Sequence, residues 1–210
     1  MSKPNIILIG GGGHCKSCID VIEHEDKFTI AGIIDVKEKI GQSVLGYPII
    51  GCDDDLDEIA KKYDNFLITV GQLNSAALRI KLFEKVQSLN KNLPVVISPD
   101  SYISKHSVIG DGTIIMNGVI LNALSCVGNN CIINTNALVE HDASIGNHCH
   151  ISTSSTINGA CNVGDNVFIG SRTVVVQEVE IEENSFIGAG SVVIKSLTTG
   201  NYFGNPAKQY

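Results

Sequence analysis

Residues 109–133 read IGDGTIIMNGVILNALSCVGNNCII. Ile109, Ile115, Leu121, Val127 and Ile133 stand six apart, and Thr113, Val119, Ser125, Cys131 and Ala137 follow them four positions later, all small or β-branched. The register extends both ways. From Ile97 to Val193 every sixth residue is Ile, Leu or Val, without a break. A period of six fits neither the 3.6-residue turn of an α-helix nor the two-residue alternation of a plain strand. It fits a coil in which each hexad is one short flat strand and a turn. Three hexads close a triangular coil, so residues 18 apart stack at the spacing of neighbouring strands, about 4.8 Å. Ile97, Ile115, Ile133, Ile151, Ile169 and Ile187 are then expected to line one corner. The small fourth position fits the narrow interior beside the aliphatic residue. A solenoid needs protected ends. Whatever precedes residue 97 would close one, and GNYFGNPAKQY (200–210), which leaves the repeat, the other.

Composition agrees. The chain has 21 glycines, no Trp and only 5% aromatic residues, so its core is built from Ile and Val in β-rich units rather than a helical bundle. A net charge of −7 with no long basic run argues against nucleic acid or an anionic membrane surface as the main partner. A nucleotide needs only a few backbone N–H groups and a cation or two. No stretch is long and apolar enough to span a bilayer. MSKPNIILIGGGGH at the start reads as a strand ended by Gly and His, not as a signal peptide. Seven irregularly spaced cysteines fit a reducing compartment, so a cytoplasmic location is expected. Cys15 and Cys18 form a CxxC, but no thioredoxin-like pattern surrounds it. They read as small residues in the first turns of a helix.

Residues 1–95 are expected to form a separate α/β domain, with the β-helix domain over 96–210. NIILI (5–9) is a buried-strand pattern, followed by Gly10–Gly13 and a helical stretch HCKSCIDVIEHE. FTIAGIID ends a second strand at Asp35, DDDLDEIAKKY reads as a helix, FLITVG as a strand, and SAALRIKLFEKVQSLN as an amphipathic helix. Alternating strands and helices predict a small parallel sheet. The strand–glycine loop–helix unit, with Asp35 about 20 residues on, has the form of a dinucleotide fingerprint. Cys15 stands where its third glycine belongs, however, and the domain is only about one mononucleotide half of such a fold. A nucleoside diphosphate on the loop N–H groups, with Asp35 on its ribose or base, is the better reading than NAD.

Within the coil, LVEHDASIGNHCHIS (138–152) holds three histidines, His141, His148 and His150. None occupies an inward aliphatic position, so all three are expected to reach the outside or a groove between subunits. His141 and His150 lie half a coil apart, on different sides of the prism, and meet only across an interface with a neighbouring chain. Two chemistries suit the stretch. One is a zinc site between subunits, as in γ-class carbonic anhydrases, although no His-x₃-His or His-x₄-His spacing occurs. The other is a general base whose tautomer and basicity are set by an adjacent carboxylate, Asp142 or Glu140. Gly159 lies 18 residues after His141 and stacks above it, where a bare backbone N–H can approach a ligand. His148 has no assigned role. Cys149 occupies a small inward position and is a poor nucleophile.

The unbroken hexads, GGGGH after the first strand, VEHD, CHIS and the terminal GNPAK together resemble the bacterial nucleotide-sugar acetyltransferases of the bacillosamine pathway and the sialic acid O-acetyltransferases. The resemblance implies an α/β half-Rossmann-like domain followed by a left-handed parallel β-helix, a homotrimer, and acetyl-CoA in the groove between adjacent β-helices. It casts His141 as the base, Asp142 as its carboxylate partner and Gly159 as donor to the thioester carbonyl. It puts His150, Ser171, Ala189 and Lys208 along the acetyl-CoA site. It puts Gly12, Gly13, His14, Asp35 and Gly71 around the nucleotide sugar, with Val36 where the family often has a second acid. The implied reaction is direct acetyl transfer to an amine of a UDP-linked 4-amino-4,6-dideoxy sugar, with no metal. GDP-perosamine as acceptor and O-acetylation of sialic acid are the alternatives.

Overall fold

The computed structural model describes residues 3–72 and 75–209. The chain divides into two compact units, residues 1–96 and 97–210.

The first unit runs β1 (Asn5–Ile9), α1 (Gly13–Glu25), β2 (Thr29–Ile34), β3 (Ser43–Val44), β4 (Tyr47–Gly51), α2 (Leu56–Ala60), β5 (Asn65–Ile68) and α3 (Ala77–Ser88). The sheet order is β3-β4-β2-β1-β5. β1 is parallel to β2 and β5, and β2 to β4. Successive residues Ile6, Ile7, Leu8 and Ile9 are all buried, so β1 is covered on both faces, as a central parallel strand must be. One face packs Ile7, Ile9, Ile34, Phe66 and Ile68 against Leu56 and Ile59 of α2 and Leu82, Phe83 and Val86 of α3.

Two expectations are corrected here. The sheet is not wholly parallel, because β3 and β4 form an antiparallel hairpin. Its two-residue turn, Leu45-Gly46, has φ of 49° and 88°. Positive φ at both positions is what such a turn needs, but leucine is a poor sign of it. The helix expected over 53–63 is shorter: a 3₁₀ turn over Asp53–Asp55 leads into α2, which ends at Ala60.

The second unit is a parallel β-helix of two-residue strands, each ending on the aliphatic residue of a hexad. Up to Val193 the strands pair in parallel 18 residues apart, as in Ile120–Leu138, Cys126–Ser144 and Ile132–His150. The strands form three sheets, the faces of the prism. Ile115, Ile133, Ile151, Ile169 and Ile187 therefore lie on one flat face, not at a corner, because the aliphatic residue closes the strand and the turn comes after it. All five are fully buried. The small fourth positions from Thr113 to Ser191 are buried too. Most of their hydroxyls and thiols are satisfied by carbonyls of the next coil: Thr113 Oγ1 donates to Gly128 O (2.7 Å), Ser155 Oγ to Gly170 O (2.8 Å) and Cys149 Sγ to Gly164 O (3.1 Å), whereas Ser191 Oγ donates within its own turn to Gly188 O (2.7 Å) and the buried Ser125 Oγ has no partner among the described residues. Small polar residues are thus tolerated in this interior at little cost.

The corners explain the rest of the hexad. Three positions after each aliphatic residue from Ile109 to Ile187 the backbone turns left-handed, at Asn130, Asn136, Asp142, His148, Ser154, Ala160, Asn166 and onwards, with φ between 52° and 63° for the non-glycine residues from Leu124 to Asn184. A left-handed non-glycine residue costs about 1–2 kcal/mol. From Asn130 to Asn184 each is offset by a backbone bond to the coil below, as in Asn136 N–H to Asn117 O (2.9 Å) and Asn166 N–H to Asn147 O (2.8 Å). At one corner the coils approach so closely that a Cβ on Gly128 would lie 2.7 Å from Gly146 C, and the column Gly110, Gly128, Gly146, Gly164 follows. The terminal segment also differs from expectation. Asn201–Phe203 adds one more parallel strand, with Tyr202 in register with Ile187, and Lys208–Gln209 folds back antiparallel onto it. It continues the stack with a shortened coil.

Candidate active site

His141 sits two residues past the strand Leu138–Val139, where the chain rounds a corner. Its side chain is 64% exposed, and Nδ1 lies 2.8 Å from Asp142 Oδ2. Asp142 holds this position because its left-handed turn (φ 60°) brings the carboxylate back beside its neighbour's ring. Glu140 does a different job: its Oε2 accepts Asn122 Nδ2 (2.8 Å) and the His141 backbone N–H (3.3 Å). Of the two carboxylates considered from the sequence, Asp142 is therefore the one on the ring. The hydrogen bond to Asp142 holds the imidazole pKa above its ordinary value, with the charges of Asp142 and Glu140 adding to it. With Nδ1–H donated to Asp142, Nε2 carries the lone pair.

The ring leans over Gly159, one coil above. A Cβ there would lie 2.8 Å from His141 Cε1 and 2.9 Å from Nε2, so only glycine leaves room. The Gly159 carbonyl accepts Glu178 N–H (2.9 Å). Its own N–H is given to no group among the described residues. These groups edge an open depression of about 410 Å³ lined by Glu140, His141, Asn158, Gly159, Ala160, Gln177 and Glu178. A lone-pair nitrogen, an uncommitted N–H and open space side by side are the parts that proton removal and oxyanion stabilisation require. Asn158, Gln177 and Glu178 were not singled out from the sequence. The signal was present, since they lie 18 or 36 residues after Glu140, His141 and Asp142.

His150 lies on a different face, in strand His150–Ile151. It does not occupy the inward position of its strand, which Ile151 takes, but it is not openly exposed in the single chain. His150 is only 7% exposed, because Phe168, its partner 18 residues on, covers the ring edge-to-face at 5.1 Å. Its Nε2 lies 3.2 Å from Asn134 Nδ2. The aromatic column continues through Phe186, stacked on Phe168 at 4.7 Å, to Phe203. His141 and His150 of one chain are not brought together. His148 takes a left-handed corner position, with Nδ1 3.0 Å from Asn130 Nδ2. Ser171 Oγ lies 2.9 Å from Ser152 Oγ, and Ala189 stacks one coil above Ser171, exposed. Lys208 is exposed on the terminal hairpin. Burial pushes the Cys149 thiol well above its ordinary pKa, which keeps it protonated. Among the described residues no three His, Cys, Asp or Glu side chains converge as a metal-binding group.

In the first unit, the loop residues gather at the carboxyl ends of β1, β2 and β5, where open α/β sheets bind ligands. Asp35 Oδ2 accepts Gly11 N–H (3.1 Å) and Lys39 Nζ (2.8 Å), and Oδ1 accepts Val36 N–H (2.7 Å). Burial alone would raise its pKa, but these donors together hold the carboxyl below its usual value. Gly11 is glycine because a Cβ would sit 2.6 Å from Asp35 Oδ2. Gly12 and Gly13 face open space, and no side chain caps α1, so its first N–H groups point outward. His14 packs against Gly71, whose Cβ would lie 3.3 Å from that of His14. The His14 Nε2 is buried without a hydrogen-bond partner among the described residues. Burial, with the Arg79 charge nearby, pushes its pKa down to about 4, so the ring is neutral. Cys15 and Cys18 are fully buried in α1, and burial pushes the Cys15 thiol up to about 11, the behaviour of core residues rather than of a redox pair.

Comparison with known proteins places this arrangement. Residues 5–86 match the PglD N-terminal domain family and residues 160–195 the bacterial transferase hexapeptide family (six repeats). A curated relative, the UDP-N-acetylbacillosamine N-acetyltransferase of Bacillus subtilis (strain 168), is 32% identical over 114 residues, 53% of this chain and 51% of that protein. The match thus spans about half the length of that relative. The crystal structure of PerB from Caulobacter crescentus, in complex with CoA and GDP-perosamine, is 32% identical, with a TM-score of 0.92 over 100% of this chain and 98% of that one. The acetyltransferase domain of PglB from Neisseria gonorrhoeae FA1090, in complex with acetyl coenzyme A, is 26% identical, with a TM-score of 0.90 over the full length of both. The chain belongs to the family of bacterial sugar acetyltransferases that join a PglD-type N-terminal domain to a left-handed β-helix of hexapeptide repeats.

Proposed function

We propose that the protein transfers acetyl from acetyl-CoA to the amino group of a nucleotide-linked deoxyamino sugar, of the UDP-4-amino-4,6-dideoxy-N-acetylglucosamine type, for surface glycan or glycoprotein synthesis in the cytoplasm. The observation that carries this reading is the His141 ring, braced by Asp142 and lying over the uncommitted N–H of Gly159. A sugar ammonium first gives up one proton. The neutral nitrogen attacks the thioester carbonyl, and the oxyanion is held by the Gly159 N–H. His141 Nε2 takes a second proton from nitrogen as the C–S bond breaks, and returns it to the leaving thiolate. Ammonium and acetyl-CoA become amide, CoA thiol and one free proton. No acyl-enzyme is required. The PerB complex with GDP-perosamine supports a second acceptor, the GDP-linked 4-amino sugar. The front loop would hold the nucleotide through the α1 N-terminus, Gly12, Gly13 and His14, with Asp35 and Gly71 shaping it.

The acting form is a homotrimer. Tyr102, Ile120, Leu138, Thr156, Val174 and Val192 stack as the outward column of one face. Tyr102 is 61% and Ile120 40% exposed in the single chain. The outward column of the second face ends in Ser144, Asn162 and Glu180. Self-association through the apolar face would bury this stripe and leave His141, at its rim, in a groove between chains. There it would meet a neighbour's His150, with Ser171, Ala189 and Lys208 along the acetyl-CoA. His141→Ala tests the assignment. With both substrates saturating, turnover should fall by about 100-fold or more, the usual worth of a general base. Near-normal turnover, or a chain that is monomeric by light scattering, would defeat the reading.

A further inference from the structure

We propose that Glu178 is a specificity-determining residue that makes the His141 site select an amine over a hydroxyl. The proposal rests on the acetyl-transfer reading above and adds to it the group that recognises the acceptor's charge. The depression beside His141 is lined by two acids, Glu140 and Glu178, and by no Lys or Arg. Glu140 is committed to Asn122 and the His141 backbone, and Asp142 to the His141 ring. The Glu178 carboxylate makes no hydrogen bond or ion pair among the described residues.

Its place follows from the coil. Glu178 is 36 residues after Asp142, two coils higher, so their backbones stand about 10 Å apart. Between them in that column lies Ala160, and beside it Gly159, whose absent side chain lets the His141 ring tilt upward. The Glu178 N–H is fixed to Gly159 O at 2.9 Å, so the residue is anchored to the same backbone that carries the uncommitted N–H. A group lying against His141 Nε2 and the Gly159 N–H therefore has Glu178 on its far side. A sugar ammonium there gains a charge-assisted hydrogen bond. A hydroxyl gains only a neutral one, and a sugar carboxylate is repelled. Because Glu178 favours the ammonium, it aids binding of the acceptor without aiding loss of its proton.

Glu178→Asn is the suited variant. The position is left-handed (φ 61°), and Asn130, Asn136, Asn166 and Asn184 already occupy the equivalent turn in other hexads. Thiol release from acetyl-CoA would be followed with GDP-perosamine and with a UDP-linked 4-amino-4,6-dideoxy sugar, each beside its 4-hydroxyl counterpart. KM for the amine should rise about tenfold, the loss of one charge-assisted bond, with kcat and the KM for acetyl-CoA held. Glu178→Asp should recover part of the change, and the preference for amine over hydroxyl should narrow. An unchanged amine KM, or a fall in kcat at constant KM, overturns the assignment while leaving acetyl transfer intact. Absence of wild-type turnover with both amines would overturn both.

Discussion

Gly159→Ala separates the placement of the His141 ring from the stability of the coil. The new Cβ would stand 2.8 Å from His141 Cε1 and 2.9 Å from Nε2. Ordinary contact begins at 3.4 Å, so the ring must withdraw by about 0.6 Å or rotate off Asp142. The obstacle is an exposed side chain, not backbone, so the fold yields easily. Gly159 is not among the residues at positive φ, and alanine there reduces the freedom of the unfolded chain. That change alone is worth about 0.4–1 kcal/mol in favour of the folded state. The midpoint of thermal unfolding should therefore hold or rise slightly, by roughly 1–4 °C for a chain of this size. Activity should move the other way. A displacement approaching 1 Å in a reacting group costs up to about 100-fold, so kcat should fall about 10- to 100-fold with both KM values little changed. Thiol release at saturating substrates, beside differential scanning calorimetry, reads both effects. A variant with kcat within twofold of wild type would refute the claim that this ring, in this position, takes the proton.

Two further outcomes follow from the electrostatics. The Asp142 hydrogen bond raises the His141 pKa, and the base acts in its neutral form, so activity is lost as pH falls through that value. Asp142→Asn should move the acidic limb of kcat/KM to lower pH and lower the plateau about tenfold or more, because Nδ1 loses its carboxylate and the tautomer its anchor; an unmoved limb would place the support elsewhere. His14 binds its proton near pH 6.5 when unfolded and near 4 when folded, so the unfolded chain holds more protons in between. The stability it permits is full above about pH 6.5 and falls towards pH 4 by about 3 kcal/mol. Denaturant unfolding at pH 7 and pH 5 should show the drop, and His14→Gln should flatten it; equal slopes in the two proteins would contradict a buried, neutral ring.

The β-helix was legible because its demands are local and repeat. Each hexad must supply one aliphatic residue and one small residue to the interior, and the register survives from Ile97 to Val193. The same register marks the column His141, Gly159, Gln177, although only its first two members were read. The left-handed corner was equally periodic, but Leu124, His148 and Arg172 disguise it, since the turn of the coil sets their backbone and not their own preference. The Leu45-Gly46 hairpin was hidden for the same reason. At His150, outward on a strand does not mean exposed, because Phe168 packs edge-to-face against the ring. In the front unit, β1, α1 and α3 were plain from apolar spacing. The grip of Lys39 and Gly11 on Asp35 was not, because those contacts join segments whose approach only the sheet decides.

The most direct test is an acetyl-transfer assay of the purified protein. Acetyl-CoA is offered with UDP-4-amino-4,6-dideoxy-N-acetylglucosamine, GDP-perosamine and sialic acid in parallel, with thiol release and the acetylated product both measured. The account predicts equal amounts of thiol and N-acetylated nucleotide sugar with at least one of the two amines, and none with sialic acid. Thiol release with sialic acid alone, or with no acceptor, would contradict it.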